Sequence, residues 1–84
     1  MATSLRKMRA YEEAIEFIAA GTTPRSIVAF RPSDAAKKRV ADLIYREKTT
    51  GLTPDEKFEL DHYMQLEHLM RLAKARARRH LAHE

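Results

Sequence analysis

The sequence predicts an all-α fold, a small three-helix domain with two short helices, a proline-bounded linker and a long C-terminal helix. Apolar residues recur at helical spacing in three segments, and capping residues, prolines or glycines stand at the ends of these segments. The 84 residues include no cysteine, so we expect one thin core without disulfide support. Residues 1–8 are predicted to be a flexible tail before a single domain at residues 9–82.

The first predicted helix spans about residues 9–20. Within YEEAIEFIAAG, Tyr11, Ile15 and Ile18 recur at i, i+4 and i+7, the spacing of one apolar helix face. The glutamates of this segment face away from that stripe, and Gly21 is a typical residue at a helix end. The pattern therefore predicts a short amphipathic helix.

The linker AGTTPRSIVAFRPSDA, residues 20–35, holds two of the three prolines around the apolar run IVAF. Thr23 followed by Pro24 has the pattern of an N-cap with proline at the first helical position, which favours a helical turn. The β-branched pair Ile27 and Val28 would also permit an extended segment. The sequence leaves these alternatives open, as it does whether Phe30 closes the core or belongs to a docking surface.

The second and third predicted helices span about residues 34–50 and 54–82. Ser33 caps the former and Gly51 ends it, while Thr53 begins a capping box with proline next to it. The last helix would be about 40 Å long. We expect the two shorter helices to pack on its first half, with its basic end projecting from the domain.

The sequence offers no pattern typical of an enzyme. There is no glycine-rich phosphate loop, the serines lie in turn or cap contexts, and the carboxylates are predicted to lie on exposed helix faces. Glu59 and His62 form the only E-x-x-H step, whereas a di-iron site in a helical bundle requires two. We therefore expect no catalytic residues, no metal and no cofactor.

The apolar segments are too short for a membrane span, and the first residues lack the apolar stretch of a signal peptide. We therefore expect a cytoplasmic protein without a membrane partner.

The long helix carries more apolar side chains than one packing face requires. Tyr63, Leu66, Met70, Ala73, Ala77 and Leu81 form one stripe that is predicted to be core. Other apolar side chains project on both flanks of this stripe between residues 58 and 72. We therefore predict a protein-binding surface, formed by Phe30, Leu60, Met64, Leu69, Arg71, Lys74 and Arg78, with a second copy of the chain as another possible occupant.

The basic end of the chain gives an alternative function. The net charge of +4 resides entirely in residues 71–84, where five cations stand against one glutamate. Such a stripe could bind the phosphates of DNA or RNA. The residues of this alternative are Arg71, Lys74, Arg76, Arg78 and Arg79. No aromatic, Asn or Gln side chain lies among them to stack on bases or read their edges.

Two stretches, AIEFIAAGTTPRSIVAFRPSDAAKKRV and GLTPDEKFELDHYMQLEHLMRLAKARARRHL, resemble a group of small, largely uncharacterised bacterial proteins common in cyanobacteria. The likeness covers roughly residues 11–81, and the run LEHLMRLAKAR is its most distinctive part. Genes for such proteins often stand beside one for an HNH-type endonuclease. The resemblance implies an antitoxin-like or accessory partner of a nuclease, and it implies no set of catalytic residues.

Overall fold

A computed structural model describes residues 9–83, so the predicted tail at residues 1–8 lies outside the described part of the chain. Four helices follow one another in that part: α1 (Glu12–Ala19), α2 (Pro24–Ala29), α3 (Asp34–Lys48) and α4 (Pro54–Ala82). No strand occurs between residues 9 and 83. The all-α prediction is confirmed, and the proline-bounded linker contains a helix of its own.

The short helix α2 begins with a reciprocal cap. The Thr23 hydroxyl accepts a hydrogen bond from the Ser26 backbone N–H, and the Ser26 hydroxyl accepts one from the Thr23 backbone N–H. Pro24 occupies the first helical position, where its missing N–H costs nothing. Local chemistry thus decides between the helical and extended alternatives, and residues 24–29 are helical.

The longer helices start where the sequence predicted. The Ser33 hydroxyl accepts from the Ala36 N–H, and Thr53 and Glu56 form a complete capping box at the start of α4. The helix α3 ends at Lys48, before the predicted residue 50. Its end is closed by Gly51, whose φ of 90° suits glycine and whose N–H donates to the Arg46 carbonyl oxygen.

The main core lies between α3 and the first half of α4, with the chain just before α1 laid across it. Its buried members are Ala10, Val40, Leu43 and Leu60, and Ile44, Leu52 and Tyr63 pack against them. Leu43 is the one large side chain of the described residues with no exposed surface. So small a core stabilises the domain only modestly.

Glu59 departs from the prediction that the carboxylates lie on exposed faces, since it is only 4% exposed. The Arg39 guanidinium donates two hydrogen bonds to it, at 3.1 and 3.0 Å, and the Ala10 backbone N–H donates a third at 3.0 Å. Burial raises the pKa of Glu59, but these bonds and the Arg39 charge outweigh it and hold the pKa below 4.5. The ion pair joins α3 to α4, and the hydrogen bond from Ala10 attaches the segment before α1 to them.

The second half of α4 does not project freely, contrary to expectation. The helix α2 packs along α4, and the Lys74 ammonium donates a hydrogen bond to the Phe30 carbonyl oxygen at the end of α2. Ala77, three residues farther along, is buried. The linker therefore covers part of the basic second half of α4. The apolar run IVAF suits this position because it can pack against the helix.

Candidate functional site

A cavity of about 180 Å³ opens between α1, the segment 30–32 and the middle of α4. We call it the α1/α4 pocket. Its lining is mostly apolar, with charged side chains at its border. The lining residues are Ala10, Glu13, Ala14, Phe30, Pro32, Tyr63, Leu66, Glu67, Met70, Arg71 and Lys74.

Contacts from three directions fix the walls of the pocket. The segment just before α1 is held in place by the hydrogen bond from the Ala10 N–H to the Glu59 carboxylate. The segment 30–32, which forms another wall, is attached to α1 next to Pro32, because the Ser33 N–H donates a 2.8 Å hydrogen bond to the Glu13 carboxylate. The Phe17 and Phe30 rings pack with their centroids 4.5 Å apart. These three contacts therefore fix the positions of the segments that line the pocket.

We call four neighbouring cations the cationic rim: Arg71 and Lys74, which line the pocket, and Arg31 and Arg78, whose charges act on Lys74. Burial lowers the pKa of Lys74 below 10.5, and the nearby charges of Arg31 and Arg78 lower it further. Arg31 donates hydrogen bonds to the carbonyl oxygens of Val28 and Phe30. The charges of Arg31 and Arg78 thus repel that of Lys74, a repulsion that an anionic partner would relieve.

Acidic and phenolic side chains also line the pocket. Burial raises the pKa of Tyr63 above 10.0, and the charges of Glu67 and Glu13 raise it further, so the phenol stays protonated at neutral pH. The Glu67 carboxylate accepts a 3.1 Å hydrogen bond from Arg71. This pair is exposed and lies one turn apart on α4, so it constrains Arg71 only weakly.

The structure brings together three of the predicted partner-binding residues. Phe30, Arg71 and Lys74 line the pocket, and Arg78 follows Lys74 by one turn of α4. Lys74 is half-buried, since its ammonium is engaged with the Phe30 carbonyl. Phe30 is half-buried as well: its ring packs against Phe17, and part of it lines the pocket.

The other predicted partner-binding residues do not join this site. Leu60 is 4% exposed and packs in the core, so its assignment to the docking surface is wrong. Met64 and Leu69 remain exposed, at 47% and 57%. Their spacing of five residues places them on different sides of α4, and neither lines the pocket.

The alternative phosphate-binding set is also divided. Arg76, Arg78 and Arg79 are exposed on the last turns of α4, and no acidic side chain among residues 9–83 pairs with them. Arg71 contacts Glu67 and Lys74 contacts Phe30. Three cations without acidic partners in the described chain thus lie on α4 beyond the pocket.

Several lining residues were assigned to the core by sequence pattern alone. Met70 and Ala77 are buried as that pattern predicts, but Tyr63 and Leu66 remain half-exposed beside the cavity. The signal that could have located the opening is the pair Ala10 and Ala14. These small side chains, four residues apart, line the pocket together with residues of the apolar stripe of α4, and they leave space that larger side chains would fill.

The described residues give no sign of a metal site. No group of three or more His, Asp or Glu side chains between residues 9 and 83 is arranged to hold an ion. In the Glu59–His62 step, Glu59 faces Arg39, while the His62 Nδ1 lies 2.9 Å from the Phe58 carbonyl oxygen. Across the same range, no helix is both long and apolar enough to cross a bilayer.

Comparisons with known proteins return no match to any family model, curated protein or solved structure.

Proposed function

We propose that this protein is a non-enzymatic helical module that binds a protein partner at the α1/α4 pocket and the cationic rim. The observation that carries the proposal is an open, mostly apolar cavity in a small domain, lined in part by the cations Arg71 and Lys74, with Arg31 and Arg78 near Lys74. Apolar pockets with charged borders are typical anchor sites of protein interfaces.

The size of the pocket indicates what it takes. A cavity of about 150 Å³ accommodates a benzene-sized group, and this one is about 180 Å³. One aromatic or branched aliphatic side chain of a partner would therefore fill it. Acidic residues beside that anchor would face Arg31, Arg71 and Arg78.

Within this class, the favoured partner is an HNH-type endonuclease, with the protein acting as an antitoxin-like or accessory subunit. Support comes from the sequence resemblance and from charge. Metal-dependent nucleases hold their metal through carboxylate and imidazole groups, and carboxylates are the groups that a cationic rim would attract. Occlusion of the nuclease site requires no chemistry from this chain.

The experiment is co-expression of the chain with the product of the adjacent gene, which the proposal expects to be an HNH-type endonuclease, followed by size-exclusion chromatography with mass measurement. We expect a stable complex for the wild type and loss of co-elution for Arg71→Glu. The matched control is Lys38→Glu, since Lys38 is an exposed cation on α3 away from the pocket. Separate elution of the two wild-type proteins at micromolar concentration would refute the proposal.

A second candidate function is nucleic-acid binding by the end of α4. It is favoured by the three exposed arginines, Arg76, Arg78 and Arg79, that lack acidic partners in the described chain. Binding of duplex DNA or RNA should then weaken steeply with salt and be abolished in the variant with all three changed to Ala. Absence of a mobility shift at low salt would exclude this function.

A further inference from the structure

We infer that α4 pairs with a second copy of itself in antiparallel orientation, through a face distinct from the pocket. This face, the outer seam, comprises Asp55, Phe58, His62, Gln65, Leu69, Leu72, Arg76 and Arg79. Its members are separated alternately by three and four residues. That is the spacing of the contact positions in a two-stranded coiled coil.

The outer seam is open to solvent and rich in apolar surface. Phe58, Leu69 and Leu72 are all about half exposed although they are large hydrophobic side chains. On one side the seam meets α1, since the Tyr11 ring lies 6.2 Å from Phe58 and 5.5 Å from His62, between centroids. Ile15 and Ile18, which follow Tyr11 at helical spacing, are also about half exposed and extend this surface.

Charge along the seam decides the orientation of the partner helix. The acidic member, Asp55, stands at the start of α4, whereas Arg76 and Arg79 stand near its end. A parallel pair would place each of these charges beside its own copy. An antiparallel pair places Asp55 opposite the partner's Arg79, so each end of the seam meets the opposite charge.

One register satisfies every layer of the antiparallel pair. When Asp55 faces Arg79, Phe58 faces Arg76, a favourable contact of a guanidinium with an aromatic ring. In the inner layers, His62 faces Leu72 and Gln65 faces Leu69. The two-fold symmetry repeats each layer, so all eight members of the seam are used.

The outer seam and the pocket can be occupied at the same time. At about 100° per residue, the seam and the pocket-lining residues of α4 lie roughly 150° apart around the helix axis. Self-association therefore goes beyond the proposed function, and it would leave both pockets of a dimer free to bind a partner. Failure of one proposal would not imply failure of the other.

The test is sedimentation velocity on the full chain at micromolar concentration. We expect a species of twice the 9.7 kDa chain mass. Leu69→Asp should weaken dimerisation by roughly tenfold or more, because it places a charge at the centre of the interface. The control is Tyr45→Asp, which alters a similarly exposed apolar residue on α3 and should leave the mass unchanged. Circular dichroism checks that both variants remain helical.

Charge reversal tests the orientation. Asp55→Arg and Arg79→Asp should each weaken the dimer, and the double variant should restore it. The chain contains no cysteine, so His62→Cys and Leu72→Cys variants can be mixed under oxidising conditions. The mixture should give the heterodimeric disulfide, and His62→Cys alone should give none. A monomeric wild type, or a disulfide from His62→Cys alone, would overturn the inference.

Discussion

The Lys74 ammonium donates a 2.7 Å hydrogen bond to the carbonyl oxygen of Phe30, a residue 44 positions earlier in the chain. This contact places a cation at the C-terminal end of α2, where the helix dipole favours positive charge. It also holds Phe30 against α4 at the border of the pocket. The same hydrogen bond therefore fixes the end of the linker and shapes the border of the candidate site.

Removal of this cation should loosen the linker. We expect Lys74→Met to reduce the free energy of unfolding by about 1 kcal/mol, because it removes a charge-assisted hydrogen bond to the Phe30 carbonyl oxygen and leaves Arg31 as the donor to that oxygen. The measurement is urea denaturation followed by circular dichroism. Lys38→Met is the control and should change stability by less than about 0.5 kcal/mol. Equal stability of the two variants would contradict this role.

The buried carboxylate of Glu59 should contribute more to stability. We expect Glu59→Gln to cost about 2 kcal/mol, because Arg39 would lose the charge that compensates its partial burial. Denaturation with urea measures the cost. Asp42→Asn provides the comparison, since Asp42 is about half exposed and its partner Arg46 would keep its ion pair with Glu56, so the cost should be under about 1 kcal/mol. A cost for Glu59→Gln no greater than that of Asp42→Asn would refute the assignment.

The free energy of unfolding should also decrease at acid pH, because the Glu59 carboxylate becomes protonated. Folding lowers the pKa of Glu59, so its contribution is complete above the ordinary value of 4.5 and is lost as pH falls through the lower folded pKa. Glu56 acts in the same direction, because the Thr53 N–H and Arg46 lower its pKa. Thermal melts between neutral pH and pH 3 should therefore show a steeper loss for the wild type than for Glu59→Gln. Parallel curves would contradict this linkage.

The starts of α2, α3 and α4 were predictable from the sequence because capping is local chemistry, whereas α1, predicted from about residue 9, begins at Glu12 without a side-chain cap. Thr23, Ser33 and Thr53 each cap the helix that follows, within hydrogen-bond reach of residues three positions away. The apolar stripe of α4 likewise predicted the burial of Met70 and Ala77. These features depend only on neighbours within one or two turns.

Burial on the flanks of α4 was not predictable, because it depends on where distant elements pack. Leu60 and Met64 lie one turn apart and look alike in sequence, yet α3 covers Leu60 and leaves Met64 exposed. Glu59 is buried because Arg39 and the Ala10 N–H converge on it from other elements. The cavity likewise depends on distant residues, since Ala10 and Ala14 line it together with side chains of α4.

The most direct test of the proposed docking function is a calorimetric titration of the HNH-type endonuclease with a variant whose pocket is filled. Ala14→Leu adds a branched side chain inside the pocket, whereas Ala41→Leu adds the same group on an exposed part of α3. We predict that Ala14→Leu weakens binding by at least about tenfold, the scale of one lost anchor side chain, while Ala41→Leu binds like the wild type. Equal affinity of all three proteins would contradict the account.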